Sequence, residues 1–209
     1  MQFYSTRDSS KKVSFAEAIL NCTPKDGGMY APNCEYSLLP WLYYMDEHTS
    51  FSSIAGSLTS ALLKEEFSPL ISEAIATRAF NFSPVLKQLD NRLYILELFH
   101  GPTGSHKDFG ISYLASCLEH ILLMQDKNAT IITPTNGETG AGIASALKDK
   151  KHLRAILLYA KGTMRGFDTE DCIWNGGNIL PIEIEGNDQD CLQIAREIFS
   201  NEEVVKKYS

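Results

Sequence analysis

The chain has 209 residues, of which 44% are hydrophobic, enough to bury one large core or two small ones. A formal charge of −7 and an isoelectric point near 5.2 argue against nucleic-acid phosphates as the main ligand. Its longest apolar stretches fall short of a membrane span and no secretory pattern follows Met1, so the expectation is a soluble, cytoplasmic protein.

Five cysteines (Cys22, Cys34, Cys117, Cys172 and Cys191) are odd in number and widely spaced. They read as reduced thiols and not as a disulfide frame or zinc site. His48, His100, His120 and His152 show no ligand spacing either, and no metal site is expected.

Taken in chain order, Ser14-Phe15-Ala16-Glu17 has the pattern of a capping box at a helix start. Residues 21–32 carry Pro, Asp and Gly-Gly and read as a turn, with Asp26-Gly27-Gly28 supplying the positive φ that a sharp bend needs. Residues 38–98 have a mainly helical rhythm. Trp41, Tyr43, Tyr44, Phe51, Ile54, Leu58, Leu62 and Leu63 form a broad apolar face expected to be core, and Pro69 opens a second helix. Pro84 marks an extended or turned segment.

From about Leu93 the rhythm changes to alternating strand and helix. Leu93–Phe99 reads as a buried strand, followed by strands at Ala129–Thr133, Arg154–Tyr159 and Ile179–Ile184. Helices are expected after Lys107, near 140–148, near 168–174 and near 189–199. The alternation predicts an α/β fold, a parallel sheet with flanking helices, with Pro181 confining its strand to an edge or a bulge. Domains are expected at 1–90, mainly helical, and 91–209, α/β.

Two loops carry the chemistry. In His100-Gly101-Pro102-Thr103-Gly104-Ser105-His106-Lys107-Asp108-Phe109-Gly110, a lysine stands where a strand gives way to a helix. On the residues alone Lys107 reads first as a solvated helix-entrance lysine. The placement also suits an amine that forms a Schiff base with a carbonyl cofactor. Thr135-Asn136-Gly137-Glu138-Thr139-Gly140-Ala141-Gly142 precedes another helix. It reads either as a plain turn or as an anion cradle of backbone amides and threonine hydroxyls. Both loops follow strand ends and should open on one crevice.

The run Glu97–Thr103 with Lys107-Asp108-Phe109-Gly110 resembles the cofactor-lysine segment of the threonine synthase family, pyridoxal-phosphate enzymes of fold type II (the tryptophan-synthase-β type). The Thr135–Gly142 loop is similar to that family's Thr-Ser-Gly-Asp-Thr-Gly loop. Phe3–Asp8, Val13–Ala18 and Asp26–Pro32 are similar to its N-terminal region.

The resemblance implies that Lys107 is the catalytic and cofactor-holding lysine. It places His106, Asn136 and Glu138 near the cofactor, and Gly137, Thr139 and Gly140 at the substrate carboxylate. It implies pyridoxal 5'-phosphate as cofactor and conversion of O-phosphohomoserine and water to threonine and phosphate. Asn136 stands where the family has Ser, Glu138 where it has Asp, and His106 where it has Phe. No second glycine-rich phosphate cradle is found, so the chain reads as a truncated N-terminal half that lacks the family's phosphate-gripping loop and has little or no turnover alone. The alternatives are a non-catalytic interaction module, partnered by a C-terminal half or by self-association, and another phospho-lyase or dehydratase of the same fold type.

Overall fold

The computed structural model describes residues 1–33, 37–163 and 177–208, which form two compact units, Met1–Asn81 and Phe82–Ser209.

In the first unit, β1 (Phe3–Ser5) lies between β2 (Lys12–Val13) and β3 (Tyr30–Pro32) in a small antiparallel sheet that the helical rhythm of the sequence does not announce. Helix α1 (Phe15–Asn21) begins with the expected capping box. The Glu17 N–H donates to Ser14 Oγ at 3.1 Å and the Ser14 N–H to Glu17 Oε2 at 2.8 Å. Phe15 packs between Phe3 at 5.8 Å and Phe67 at 6.1 Å between centroids, an aromatic chain that ties the sheet to the helices.

Helix α2 (Leu39–Leu42) is one turn long, whereas α3 (Phe51–Leu62) and α4 (Pro69–Ala79) are three-turn helices capped by Ser50 and Ser68, with Pro69 in the first turn of α4 as expected. Gly56 lets α3 approach α4 closely, since a Cβ there would fall on the Glu73 carboxylate and 3.1 Å from its Cα. Ile75 and Ala76 are fully buried beneath this contact.

The expected aromatic core at the start of this region is overturned. Tyr43 and Tyr44 are 85% and 88% exposed and Trp41 is at the surface. The helical period spans two segments in the sequence, but α2 ends at Leu42, so its face does not continue into α3.

In the second unit, β4 (Val85–Asp90) and β5 (Leu93–Glu97) form an antiparallel hairpin closed by Asn91-Arg92. This corrects both the helical reading of residues up to 98 and the buried strand expected at Leu93–Phe99. Leu86, Leu93, Tyr94, Ile95, Leu96 and Phe99 are exposed. The strand exists, but its hairpin is a separate two-stranded sheet and its apolar residues look outward.

Helix α5 (Lys107–Gln125) follows, then β6 (Ala129–Pro134), α6 (Glu138–Leu147), β7 (Leu153–Ala160), β8 (Ile179–Ile184), α7 (Asp188–Ser200) and α8 (Glu202–Tyr208). The parallel sheet runs β6-β7-β8, with Ala129 opposite Leu153 and Ala155 opposite Ile179. On one face Leu158, Ala160, Ile132 and Ile156 pack against Cys191 and Ala195 of α7. Strand alternation turns Leu153, Ala155 and Leu157 to the other face, where α5 and α6 meet β7. The sheet is thus covered on both sides, as the strand-helix rhythm predicts. Pro181 stands on β8, at the edge of the sheet among the described residues. The helix expected near 168–174 lies outside the described residues, as do Cys34 and Cys172.

Candidate functional site

The loop from β5 to α5 is built around a tight turn. The Gly104 N–H donates to the Gly101 carbonyl at 3.1 Å, and Gly104 takes φ +70°, which a glycine adopts without strain. Thr103 is tied to the next helix. Its N–H donates to Asp108 Oδ2 at 2.9 Å and its hydroxyl to Asp108 Oδ1 at 2.6 Å.

The start of α5 lacks a side-chain cap from His106. Ser105 does that work: its Oγ accepts from the Lys107 N–H at 3.4 Å and its carbonyl from the Asp108 N–H at 3.1 Å. Lys107 is therefore the first residue of α5, as the strand-to-helix reading expects.

The second loop is organised by Thr135, which is buried. Its N–H donates to the Leu158 carbonyl of β7 at 2.8 Å. Its Oγ1 accepts from the N–H groups of Gly140 at 2.8 Å and Gly137 at 3.2 Å. Gly137, at φ 127°, is the N-cap of α6, and a Cβ on Gly140 would stand 2.7 Å from Thr135 Cγ2. The two glycine amides that the sequence offers to a bound anion thus already serve Thr135.

The two loops meet through Glu138. Lys107 Nζ lies 3.2 Å from Glu138 Oε2, and the Ser105 hydroxyl is 3.5 Å from the same oxygen. The extra methylene of Glu relative to Asp carries the carboxylate to the lysine. Beside this pair is an open cleft of about 290 Å³ lined by Leu98, Phe99, Thr103, Gly104, Ser105, His106 and Glu138. His106 is exposed on its wall.

Asn136 and Thr139 line a different hollow of about 270 Å³, between the end of β6 and the first turn of α7. Lys107, His106 and Glu138 are therefore brought together, while Asn136 and Thr139 are not on that cleft. Sequence reasoning missed Ser105, Thr103 and Asp108, which hold the loop and the helix start on either side of Lys107.

Below the loop, Glu97 at the end of β5 bridges Lys87 at 2.7 Å and His100 at 2.8 Å. The hydrogen bond from Lys87, then that from His100, holds the Glu97 carboxyl below its ordinary value. The His100 ring also packs on Phe99, 4.7 Å between centroids, so the start of the loop is braced.

Cys22 and Cys191 are free thiols, and burial pushes the Cys191 thiol up. Among the described residues no group of three His, Cys, Asp or Glu side chains could hold a metal ion, and no helix is long and apolar enough to cross a membrane.

Residues 2–80 match the model of the threonine synthase N terminus and residues 70–206 that of pyridoxal-phosphate dependent enzymes. The chain belongs to the family of pyridoxal-phosphate dependent enzymes, and within it the proteins it resembles are threonine synthases. It is 32% identical over 208 residues to threonine synthase of Escherichia coli (strain K12), covering 98% of this chain and 47% of the relative. To threonine synthase of Serratia marcescens it is 31% identical, again covering 98% and 47%.

Among solved structures, the pyridoxal-phosphate-bound threonine synthase of Brucella melitensis superposes with a TM-score of 0.84 at 25% identity, over 97% of this chain and 45% of that one. The Escherichia coli enzyme gives 0.77 at 29% identity, over 100% and 48%. The chain thus spans about half the length of the threonine synthases it matches.

The described residues fit the aldehyde end of pyridoxal phosphate. They offer a primary amine 3.2 Å from Glu138, whose side chain lines the cleft with Ser105, and open space at Gly104, where an added Cβ would meet nothing within 4 Å.

Proposed function

We propose that this chain supplies the cofactor-lysine portion of a threonine synthase that converts O-phosphohomoserine and water to threonine and phosphate. The observation that carries the reading is the Lys107 amine beside Glu138 at the cleft, on a chain that aligns with threonine synthases over 98% of its length. Pyridoxal phosphate, when bound, supplies the electron sink that carbanion chemistry at an amino acid requires.

Within that reading Lys107 binds the cofactor through Nζ and then moves protons at the substrate Cα and Cβ. Glu138 orients the amine by the 3.2 Å contact, and His106, on the cleft wall, would help to hold the cofactor. Asn136 lies on the neighbouring hollow and takes no part in this arrangement. Thr139 is offered to the substrate carboxylate from the loop that Thr135 holds, and the Gly137 and Gly140 amides would have to leave Thr135 to join it.

Much of an enzyme's rate comes from positioning, and about half of the length of the relatives lies outside this alignment. The chain by itself is accordingly expected to turn over slowly or not at all.

The test is to add pyridoxal phosphate, reduce with borohydride and map the labelled peptide. Label on the peptide holding Lys107, lost in Lys107→Ala, is the expected result. Wild-type protein left unlabelled there, even with the C-terminal half of the Escherichia coli enzyme supplied, overturns the reading. Threonine formation on mixing the two halves would establish the reaction, and product analysis separates it from another phospho-lyase or dehydratase.

A second reading, a non-catalytic interaction module, is favoured by the exposed apolar residues of the β4–β5 hairpin. It predicts self-association or capture of the C-terminal half in light scattering. A dispersed monomer indifferent to that half excludes it.

A further inference from the structure

We propose that Asp108 is the positioning residue for the Lys107 amine, acting as a clamp between the Gly101–Gly104 turn and the first turn of α5. This rests on the reading of Lys107 as the cofactor amine. Asp108 is 2% exposed, and a buried carboxylate is costly unless its oxygens are satisfied.

Here both oxygens are committed to one residue. Oδ2 accepts from the Thr103 N–H at 2.9 Å and Oδ1 from the Thr103 hydroxyl at 2.6 Å. A two-point, charge-assisted contact of this kind fixes orientation as well as distance.

The surrounding chain makes room for that carboxylate and for little else. A Cβ on Gly101 would stand 2.5 Å from Oδ2. On α6, a Cβ on Gly142 would stand 3.5 Å from Oδ1 and 2.9 Å from Ile111 Cδ1. Turn, α5 and α6 therefore close on one side chain from three directions. Its charge also lies in the first turn of α5, where the helix dipole favours an anion.

Lys107 sits between this clamp and Ser105, whose Oγ accepts the lysine's own N–H. Thr103, at the other end of the clamp, lines the cleft. The backbone from which the amine projects is thus held on both sides, and the same carboxylate holds Thr103 in the wall of the neighbouring cleft.

Asp108→Asn keeps the size of the side chain but removes the charge from both contacts, and its NH2 group forces the Thr103 hydroxyl to turn round and accept. Thr103→Val removes the hydroxyl and leaves the aspartate in place, and Thr103→Ser preserves both bonds. In the full chain three quantities are read: exchange of the Thr103 amide proton, borohydride-fixed pyridoxyl labelling of Lys107, and acetylation of Lys107 by acetic anhydride relative to the other lysines of the same molecule.

Asp108→Asn and Thr103→Val are expected to accelerate Thr103 exchange and to slow pyridoxyl labelling by about tenfold to a hundredfold, the scale of a misplaced reacting group. Relative acetylation of Lys107 should shift severalfold in both, and Thr103→Ser should behave as wild type. Should Asp108→Asn fail to fold, Thr103→Val carries the test alone.

Faster Thr103 exchange with unchanged labelling and acetylation of Lys107 overturns the proposal, because the clamp would be broken without moving the amine. If wild-type protein takes no pyridoxyl label even with the C-terminal half of the Escherichia coli enzyme supplied, the functional reading fails. Acetylation then still decides the clamp: a shift in the variants upholds it and equal rates refute it.

Discussion

Strands β5 and β7 are both rich in Leu and Ile, yet they meet opposite fates. In β7, Leu153 and Leu157 are completely buried, because the strand is central in a parallel sheet with helices on either side. In β5, Leu96 is 56% exposed and Ile95 45%, because only β4 pairs with it. An apolar run states that a strand prefers to be covered. Whether it is covered depends on elements far away in sequence, and that separates a structural core from an available surface.

The sharpest way to test the contrast is to truncate one leucine in each strand. Leu157→Ala should cost about 2–5 kcal/mol in urea unfolding, the range for emptying a packed core site. Leu96→Ala should stay within about 0.5 kcal/mol, as for surface changes elsewhere. Equal losses would mean that the hairpin is buried in solution.

Next in size, Gly140→Ala forces a Cβ against Thr135, whose N–H is bonded to β7, and should cost about 1–3 kcal/mol in the same unfolding measurement, as an overpacked site. In the first unit, Ser14→Ala removes half of the α1 capping box and should cost about 1 kcal/mol.

Smallest is an acid effect confined to the hairpin. The Glu97 carboxyl is held below its ordinary value, so its contribution is present above that value and is lost as pH falls through the lowered one. Protection of the β5 amides relative to the unfolded chain should fall as the pH drops below the ordinary carboxylate range while that of β7 is unchanged, and Glu97→Gln should abolish the difference.

The sequence is most informative where local chemistry decides. The Ser14 capping box, Pro69 in the first turn of α4, strands β6 to β8 and helix α7 all emerge near their expected limits. The hairpin escapes a reading of the sequence because Asn91-Arg92 lacks the Asn-Gly or Asp-Gly signature of a two-residue turn. Tyr43 and Tyr44 look like core residues because a helical period survives on paper across a break in the helix.

At the site, Lys107 and Glu138 both stand out from their loops, but their contact depends on a Glu side chain spanning from α6 to α5. Thr135 and Asp108 escape notice because their role is to satisfy backbone and hydroxyl groups within the fold. Such pairings leave no spacing rule to find.

Pro181 gives the sheet a polarity that its strand order alone does not. The Ala155 N–H donates to the Asn178 carbonyl and the Lys161 N–H to that of Ile184, so in the intervening ladder the even-numbered residues of β8 point their amides at β7. Position 181 points the other way, outward, and a proline there has no hydrogen to offer. A newcomer strand laid along that border would meet a gap in the row of donors, whereas the border formed by β6 has proline only at its last residue, so sideways growth of the sheet is discouraged on one flank by a single ring.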